Sequence, residues 1–273
     1  MARHLLAAGH EVAGYNRSAE KAAAWAEATG GTAVETPQAA AEHAELFILC
    51  VGNDDDVRQV VTAALDTAPS GCVFVDHTTT SARLAREMGE LVRGWDCAFV
   101  DAPVSGGQAG AENGQLSVMA GGEAEALAKA MSALQAYSKA VQHMGPVGSG
   151  QLTKMVNQIC IAGVVQGLAE AVHFAQQAGL DTDAVYGAIS KGAAQSWQMD
   201  NRWATMARGE FEFGFAVDWM RKDLGLVLEE ARANGSHLAL TALVDQFYSE
   251  VQAMGGNRWD TSSLAARLQD RAR

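Results

Sequence analysis

The first half of the chain alternates short apolar runs with segments whose apolar residues recur at helical spacing. Leu46-Phe47-Ile48-Leu49-Cys50-Val51 is unbroken, the pattern of a parallel strand covered on both faces. Val73-Phe74-Val75, Ala98-Phe99-Val100 and Leu116-Ser117-Val118-Met119 predict further short strands, and Glu11 to Tyr15 another. Helices are expected over Met1–Ala8, stopping at Gly9, and over Ala19–Thr29, Val57–Leu65 and Ser81–Val92. The second of these runs into Gly30-Gly31, and glycine past the last turn readily takes the left-handed backbone that ends a helix. Asp54-Asp55-Asp56 reads as an acidic helix N-terminus, stabilised by the macrodipole. Strands alternating with helices imply a mainly parallel, doubly wound α/β sheet.

After about Pro146 the pattern changes. One long helix is expected from Gly150 to Ala178, followed by helical segments to the end and no convincing strand. The bend at Gly179-Leu180-Asp181, with the acidic pair Asp181 and Asp183, marks where that helix stops and the next begins. The chain thus divides into an α/β domain, residues 1–147, and an all-helical domain, residues 148–273, joined by the long helix. No internal repeat or low-complexity linker interrupts either. The longest unbroken apolar stretch, Ile159 to Val165, is too short to cross a bilayer, and no signal peptide is visible, so no membrane partner is expected.

Composition narrows the partners. Of the 273 residues 48% are apolar and 19% charged, ordinary for a globular protein. A formal net charge of −12 argues against nucleic acid or an anionic membrane, while leaving room for a local cationic site that takes a small anion. The four cysteines form no C-x-x-C pair, and three lie in apolar, strand-like surroundings, expected as small core residues in a reducing cytoplasm. The seven histidines lack ligand spacing, so no metal is expected.

Four segments could carry chemistry. Gly14-Tyr15-Asn16-Arg17-Ser18 follows an apolar strand, where a dinucleotide-binding sheet reads the ribose. Asn16 replaces the carboxylate that would favour NAD, and Arg17 and Ser18 supply donors for a 2′-phosphate, which leans toward NADP. The plainer reading is a polar turn with Ser18 as helix N-cap. In Asp101-Ala102-Pro103-Val104-Ser105-Gly106-Gly107 the proline stiffens a strand exit, and the glycines let backbone amides approach a ligand closely. Such a nest, with the Ser105 hydroxyl, suits a carboxylate; otherwise it is a glycine-rich turn. Lys154, Asn157 and Gln158 share one helix face amid Leu152, Met155, Val156 and Ile159. A partly desolvated lysine can exchange a proton near neutrality, whereas a surface lysine merely lays its stem across apolar neighbours. In Trp219 to Gly225, Arg221, Lys222 and Asp223 form either a solvated stripe or a cleft-facing Lys222 with Asp223 as partner. The aromatics Trp197, Trp203, Phe211, Phe213, Phe215 and Trp219 are expected mainly as packing, with part of the group able to wall a pocket around Gly192 to Met199.

In this order the motifs make the chain resemble the β-hydroxyacid dehydrogenase family, which includes 3-hydroxyisobutyrate dehydrogenases, tartronate semialdehyde reductases and glyoxylate/succinic semialdehyde reductases. The resemblance runs from Met1 to about Leu268. Residues 101–107 look like the family's substrate-binding signature, Gly150 to Gln158 like its G-x-x-x-K-x-x-N-Q catalytic element, and Lys222-Asp223-Leu224 like its K-D-L element. Val75-Asp76-His77-Thr78-Thr79-Thr80 resembles the V-D-x-S-T strand end, whose hydroxyl contacts the cofactor. The resemblance implies a Rossmann-like domain followed by an all-α domain. It implies an NAD(P)-dependent oxidoreductase that interconverts a small β-hydroxy acid and its semialdehyde or keto acid. Lys154 would be the acid–base residue and Asn157 would orient a small carboxylate-bearing substrate. Ser105, Gly106 and Gly107 would hold its carboxylate, and Lys222 would border both substrate and nicotinamide. Asn16, Arg17 and Ser18 would bind the adenosine ribose or its phosphate, and Val51, Gly52 and Thr79 would line the cofactor groove. The cofactor would be NADP, with NAD second, and the assembly a homodimer or tetramer.

Two departures stand out. The family's G-x-G-x-x-M-G precedes the residue matching Met1, so no phosphate-loop glycine is carried over; a start codon placed too late, or a truncated sequence, is the expectation. His77 and Cys50-Val51-Gly52-Asn53 replace the residues commoner in the family. Competing readings are an imine reductase of the same fold, a group that generally lacks the lysine, and a catalytically silent binding or assembly protein.

Overall fold

A computed structural model describes residues 1–270 and divides the chain into two compact units, one spanning Met1–Lys154 and one beginning at Met155. The first contains α1 (Ala2–Ala7), β1 (Ala13–Tyr15), α2 (Ala19–Thr29), β2 (Thr32–Val34), α3 (Pro37–Ala41), β3 (Leu46–Leu49), α4 (Asp54–Leu65), β4 (Val73–Asp76) and α5 (Ala82–Arg93). It continues with β5 (Ala98–Asp101), β6 (Val104–Ser105), α6 (Gly107–Glu112), β7 (Leu116–Gly121), α7 (Ala124–Ala136) and β8 (Ser138–Gly145). The long helix α8 (Ser149–Gln177) leads into α9 (Thr182–Ile189), α10 (Trp197–Arg208), α11 (Val217–Asn234), α12 (Ala239–Ala253) and α13 (Leu264–Asp270).

In the α/β unit β1 and β2 form a parallel pair, while a six-stranded sheet runs β3-β4-β5-β7-β6, with β8 beside β7. Strands β3, β4 and β5 are parallel, aligned Leu46 to Val73 to Ala98. Strand β7 is antiparallel to β5 and β6 and parallel to β8. Strand β4 shows why its sequence does not alternate. Phe74 enters one core with Leu84 and Met88 of α5 and Val57 and Val61 of α4. Val73 and Val75 enter the other with Leu127, Ala130 and Leu134 of α7. Both faces are covered, so every side chain of β4 is buried.

Helix α4 begins at Asp54, and the side chain of Asn53 caps it by accepting from Asp56 N, so the acidic cluster does fill its first turn. Ser18 occupies the N-cap position of α2 without a side-chain cap bond; instead the Asn16 carboxamide oxygen accepts from Ser18 N at 2.9 Å. Strands β2, β6 and β8 and helices α3, α6 and α7 were not expected from the pattern. Strand β2 has three residues, none of them buried, and β8 is a mostly exposed strand carrying Lys139, Gln142 and His143, so neither leaves an apolar trace. Two of the strand-like cysteines, Cys72 and Cys97, are buried, but Cys50 is exposed. It follows the last residue of β3, where the chain leaves the sheet.

The second unit is helical among the described residues, apart from an isolated bridge between Ala216 and Asp260. Its core gathers Ala162, Val165, Leu168, Ala169 and Val172 of α8 around Trp203, Met206, Met220, Leu224 and Tyr248. Helix α8 has 29 residues, and an 18-residue window of it has mean hydropathy 1.4, so by length and composition it could cross a membrane. One face of the helix is nonetheless the spine of this core. The six aromatics divide: Trp203 and Phe211 are core, whereas Trp197, Phe213, Phe215 and Trp219 are exposed.

Candidate active site

The candidate residues of the α/β unit other than Lys154 lie at or just after carboxyl ends of strands, the edge where open α/β sheets bind ligands. Asn16, Arg17 and Ser18 follow β1, Val51 and Gly52 follow β3, Thr79 follows β4, Ser105 ends β6, and Gly106 and Gly107 come directly after it. Side chains lock these turns together. Val51 N donates to Thr78 Oγ1 at 2.9 Å. Gly52 N donates to Asp56 Oδ2 at 3.1 Å, and Asp56 Oδ1 also takes Arg17 Nη1 at 3.2 Å. Asp54 accepts from both Ser81 N and Ser81 Oγ. The turn after β3 is thus tied to α4 on one side and to the loop after β4 on the other. Asn16, Arg17 and Ser18 are all exposed.

The second feature is the start of α8. The Asp101 carboxylate, wholly buried, accepts from Gly148 N at 2.7 Å and Gln151 N at 2.9 Å. A negative group at a helix N-terminus satisfies unpaired N–H groups and meets the positive end of the dipole. Burial pushes the Asp101 carboxyl up to about 6, while those backbone donors pull against it. The helix start lies so close to β5 and β7 that a Cβ on Gly150 would sit 2.4 Å from both Asp101 O and Met119 O, so this position requires glycine. Gln151 places Oε1 on Thr80 N at 3.0 Å and Nε2 on Thr78 O at 2.7 Å.

One turn along α8, Lys154 is 8% exposed and its Nζ donates to Val104 O at 2.9 Å. The lysine is therefore not a surface side chain. It is held against the residue that precedes Ser105-Gly106-Gly107. Gly106 and Gly107 have φ of +130° and +61°, backbone that L side chains rarely adopt, so the loop's shape needs both glycines. Behind it, His77 is buried between two partners. Its Nδ1 meets Ala102 O at 2.6 Å and its Nε2 meets the Tyr137 hydroxyl at 2.7 Å. A carbonyl only accepts, so Nδ1 carries the proton and Nε2 accepts from the tyrosine. Burial lowers the His77 pKa to about 4, which keeps the ring neutral.

The remaining candidates meet in the helical unit. Asn157 Nδ2 donates to Gln158 Oε1 at 2.8 Å, and Gln158 Nε2 donates to Asp223 Oδ2 at 2.7 Å. Asp223 Oδ1 lies 3.2 Å from Lys222 Nζ. Asp223 is 2% exposed, and Arg221 is paired with Asp245 at 3.0 Å. The three consecutive charges are therefore not a solvated stripe. Arg221 pairs with Asp245 and Lys222 with Asp223, and Lys222 is linked to Asn157 through the side chains of Asp223 and Gln158.

Sequence reasoning named the reactive candidates but not their supports. Asp101 and Gln151 sit inside the quoted motifs without an assigned role, and Tyr137 lies in a segment with no motif at all. Only Asp101, a carboxylate at the end of an apolar strand, carried a readable hint, since a buried acid needs donors.

Residues 1–145 match the family of the NAD binding domain of 6-phosphogluconate dehydrogenase. Residues 148–268 match the family described as "NAD-binding of NADP-dependent 3-hydroxyisobutyrate dehydrogenase". The chain is 59% identical over 272 residues to an "uncharacterized oxidoreductase" of Shewanella frigidimarina, covering 98% of this chain and 94% of that one. It is 31% identical to 2-hydroxy-3-oxopropionate reductase of Escherichia coli, covering 88% and 83%. The structure of Mycobacterium tuberculosis 3-hydroxyisobutyrate dehydrogenase with L-serine superposes with a TM-score of 0.89 at 28% identity, covering 98% and 94%. The chain belongs to the β-hydroxyacid dehydrogenase family of NAD(P)-dependent oxidoreductases, a Rossmann-like domain followed through a long helix by the helical domain of the 3-hydroxyisobutyrate dehydrogenases.

Proposed function

We propose that this oxidoreductase interconverts a small β-hydroxy acid and the corresponding semialdehyde or keto acid, with Lys154 moving the proton. The observation that carries the reading is the buried Lys154 ammonium, fixed 2.9 Å from Val104 O next to the glycine loop. A cation there faces the place where backbone N–H groups of Ser105 to Gly107 can take a carboxylate. Two relatives agree in chemistry: one is named for reducing 2-hydroxy-3-oxopropionate, and the other structure contains L-serine, a carboxylate with a β-hydroxyl.

The residues after the strands fit a dinucleotide. The turn after β3 needs glycine at position 52, because a Cβ there would meet Asp56 Oδ2 at 2.6 Å. Val51, Gly52 and Thr79 would line the groove, and Asn16, Arg17 and Ser18 would meet the adenosine ribose. We favour NADP over NAD because no carboxylate stands at position 16 and Arg17 lies beside it, its guanidinium oriented by Asp56. When bound, the nicotinamide supplies or takes the hydride. Lys154 gives its proton to the carbonyl oxygen during reduction and takes the hydroxyl proton during oxidation. Asn157 orients the substrate, and Lys222, its charge held by Asp223, borders the reacting group. The family's dimers suggest that this chain self-associates through α8, where Val156 (59% exposed), Val164 and Phe174 (70%) form an apolar stripe and Leu240 and Leu243 of α12 are also exposed. Light scattering at micromolar concentration that finds only monomer refutes this.

The test begins with fluorescence titration by NADPH and NADH, then a screen of hydroxy acids and semialdehydes. Lys154→Ala is expected to lower kcat by about 10²–10⁴-fold while leaving cofactor affinity intact. Near-normal turnover in that variant refutes the role of Lys154, and an absence of binding by either nucleotide refutes the functional reading.

A further inference from the structure

Thr79 is the only residue from Cys72 to Thr80 that is not buried, so the chain leaves the sheet here and presents one side chain. The two peptide groups flanking it are held by a single residue. Gln151 Nε2 donates to the carbonyl of Thr78, and Gln151 Oε1 accepts from the N–H of Thr80. A carboxamide has the same donor and acceptor as a peptide, so it pairs with this loop as a neighbouring strand would. The side chain is wholly buried, where an amide is tolerated only if both ends are matched. The same residue's backbone N–H is bound by Asp101, and Lys154 is the next residue but two on α8.

We propose that Gln151 is a positioning residue that makes the Thr79 loop and the Lys154 turn of α8 one mechanical unit, so that cofactor seated on the loop sets the lysine. The inference rests on the functional reading above, in which Thr79 lines the cofactor groove. Three pieces of chain meet at Gln151: the loop after β4, the end of β5 that continues into the glycine loop, and the first turn of α8. The first carries Thr79, the second runs on to Ser105 in β6, and the third leads one turn further to Lys154. A side chain that only filled space would not need both polar ends engaged, and one that only capped the helix would not reach the loop.

Gln151→Met keeps the length and much of the volume but removes both polar ends. In the 273-residue chain it is expected to raise the NADPH Kd about tenfold and to lower kcat about tenfold, with the KM for the hydroxy acid changed less than about twofold. A purely structural role would lower the melting temperature without that split. A folded variant whose NADPH Kd and kcat equal the wild type's overturns the inference and leaves the functional reading intact. If the variant does not fold, amide exchange on the wild-type enzyme decides. NADPH is expected to slow exchange both at residues 78–80 and at residues 149–154. Protection at 78–80 alone overturns the coupling, and a wild-type chain that binds neither nucleotide overturns the functional reading and this inference together.

Discussion

Asp76 ends β4 with its carboxyl wholly buried. Oδ1 accepts from Thr78 N at 2.8 Å, and Oδ2 has no hydrogen-bond partner among the described residues. Burial pushes its pKa from 3.8 up to about 7, against the pull of Thr78 and helped by the nearby Asp101 and Asp54. The folded protein therefore holds this proton more tightly than the unfolded chain does. Its contribution to stability is whole below about pH 4 and is lost as pH rises through about 7. At about 1.4 kcal/mol per tenfold difference in proton affinity, the loss reaches about 4 kcal/mol at pH 8. Asp76→Asn removes the dependence. Its oxygen keeps the Thr78 bond, and its NH₂ replaces an Oδ2 hydroxyl that equally lacks an acceptor. The variant should thus be about 1–2 kcal/mol more stable than wild type at pH 5 and about 4 kcal/mol more stable at pH 8. His77, whose depressed pKa costs stability as pH falls from about 6.5 toward 4, is present in both proteins and cancels. Native-state amide exchange of the β4 amides in a urea series, at several pH values, measures the α/β unit by itself. A stability difference that stays constant between pH 5 and 8 would refute the assignment of Asp76 as a carboxyl held neutral by burial.

Further outcomes test the supports of the site. His77→Leu strands the Ala102 carbonyl and the Tyr137 hydroxyl in the core, and should cost about 1–3 kcal/mol for each group left unpaired, read from thermal melting at pH 7. Gly150→Ala drives a methyl into the Asp101 and Met119 carbonyls; a loss of about 3 kcal/mol or more is expected, and a soluble variant with unchanged melting would show that α8 starts elsewhere. Arg17→Ala should weaken NADPH about tenfold with little effect on NADH, and equal losses for both would place Arg17 away from the 2′-phosphate.

The order of elements was legible wherever burial leaves a pattern. Strands β3, β4 and β5 are covered on both faces, so nearly every residue in them is apolar, and α8 carries a continuous core stripe. Strands β2 and β8 were not legible, because short or exposed strands place no constraint on their residues. The reactive candidates were visible for a different reason. Lys154 amid apolar neighbours and two glycines after a proline are anomalies within a few residues of sequence, readable without knowing what they pack against. The pairing of Lys222 with its neighbour Asp223 was one of two readings the sequence offered; that Arg221 would find Asp245, and Asp223 also Gln158, was beyond reach, since both stand far off along the chain.

By itself the amino-acid sequence determined the α/β-then-α architecture, the lysine and the glycine loop, because periodicity and backbone freedom are properties of neighbouring residues. Only the tertiary structure decided that Asp101 caps α8, that Gln151 clasps the loop around Thr79, and that His77 braces Ala102 against Tyr137. Those bonds join residues 25 to 73 positions apart. A buried polar group must find whatever partner the fold delivers, and a linear pattern does not record which partner that is.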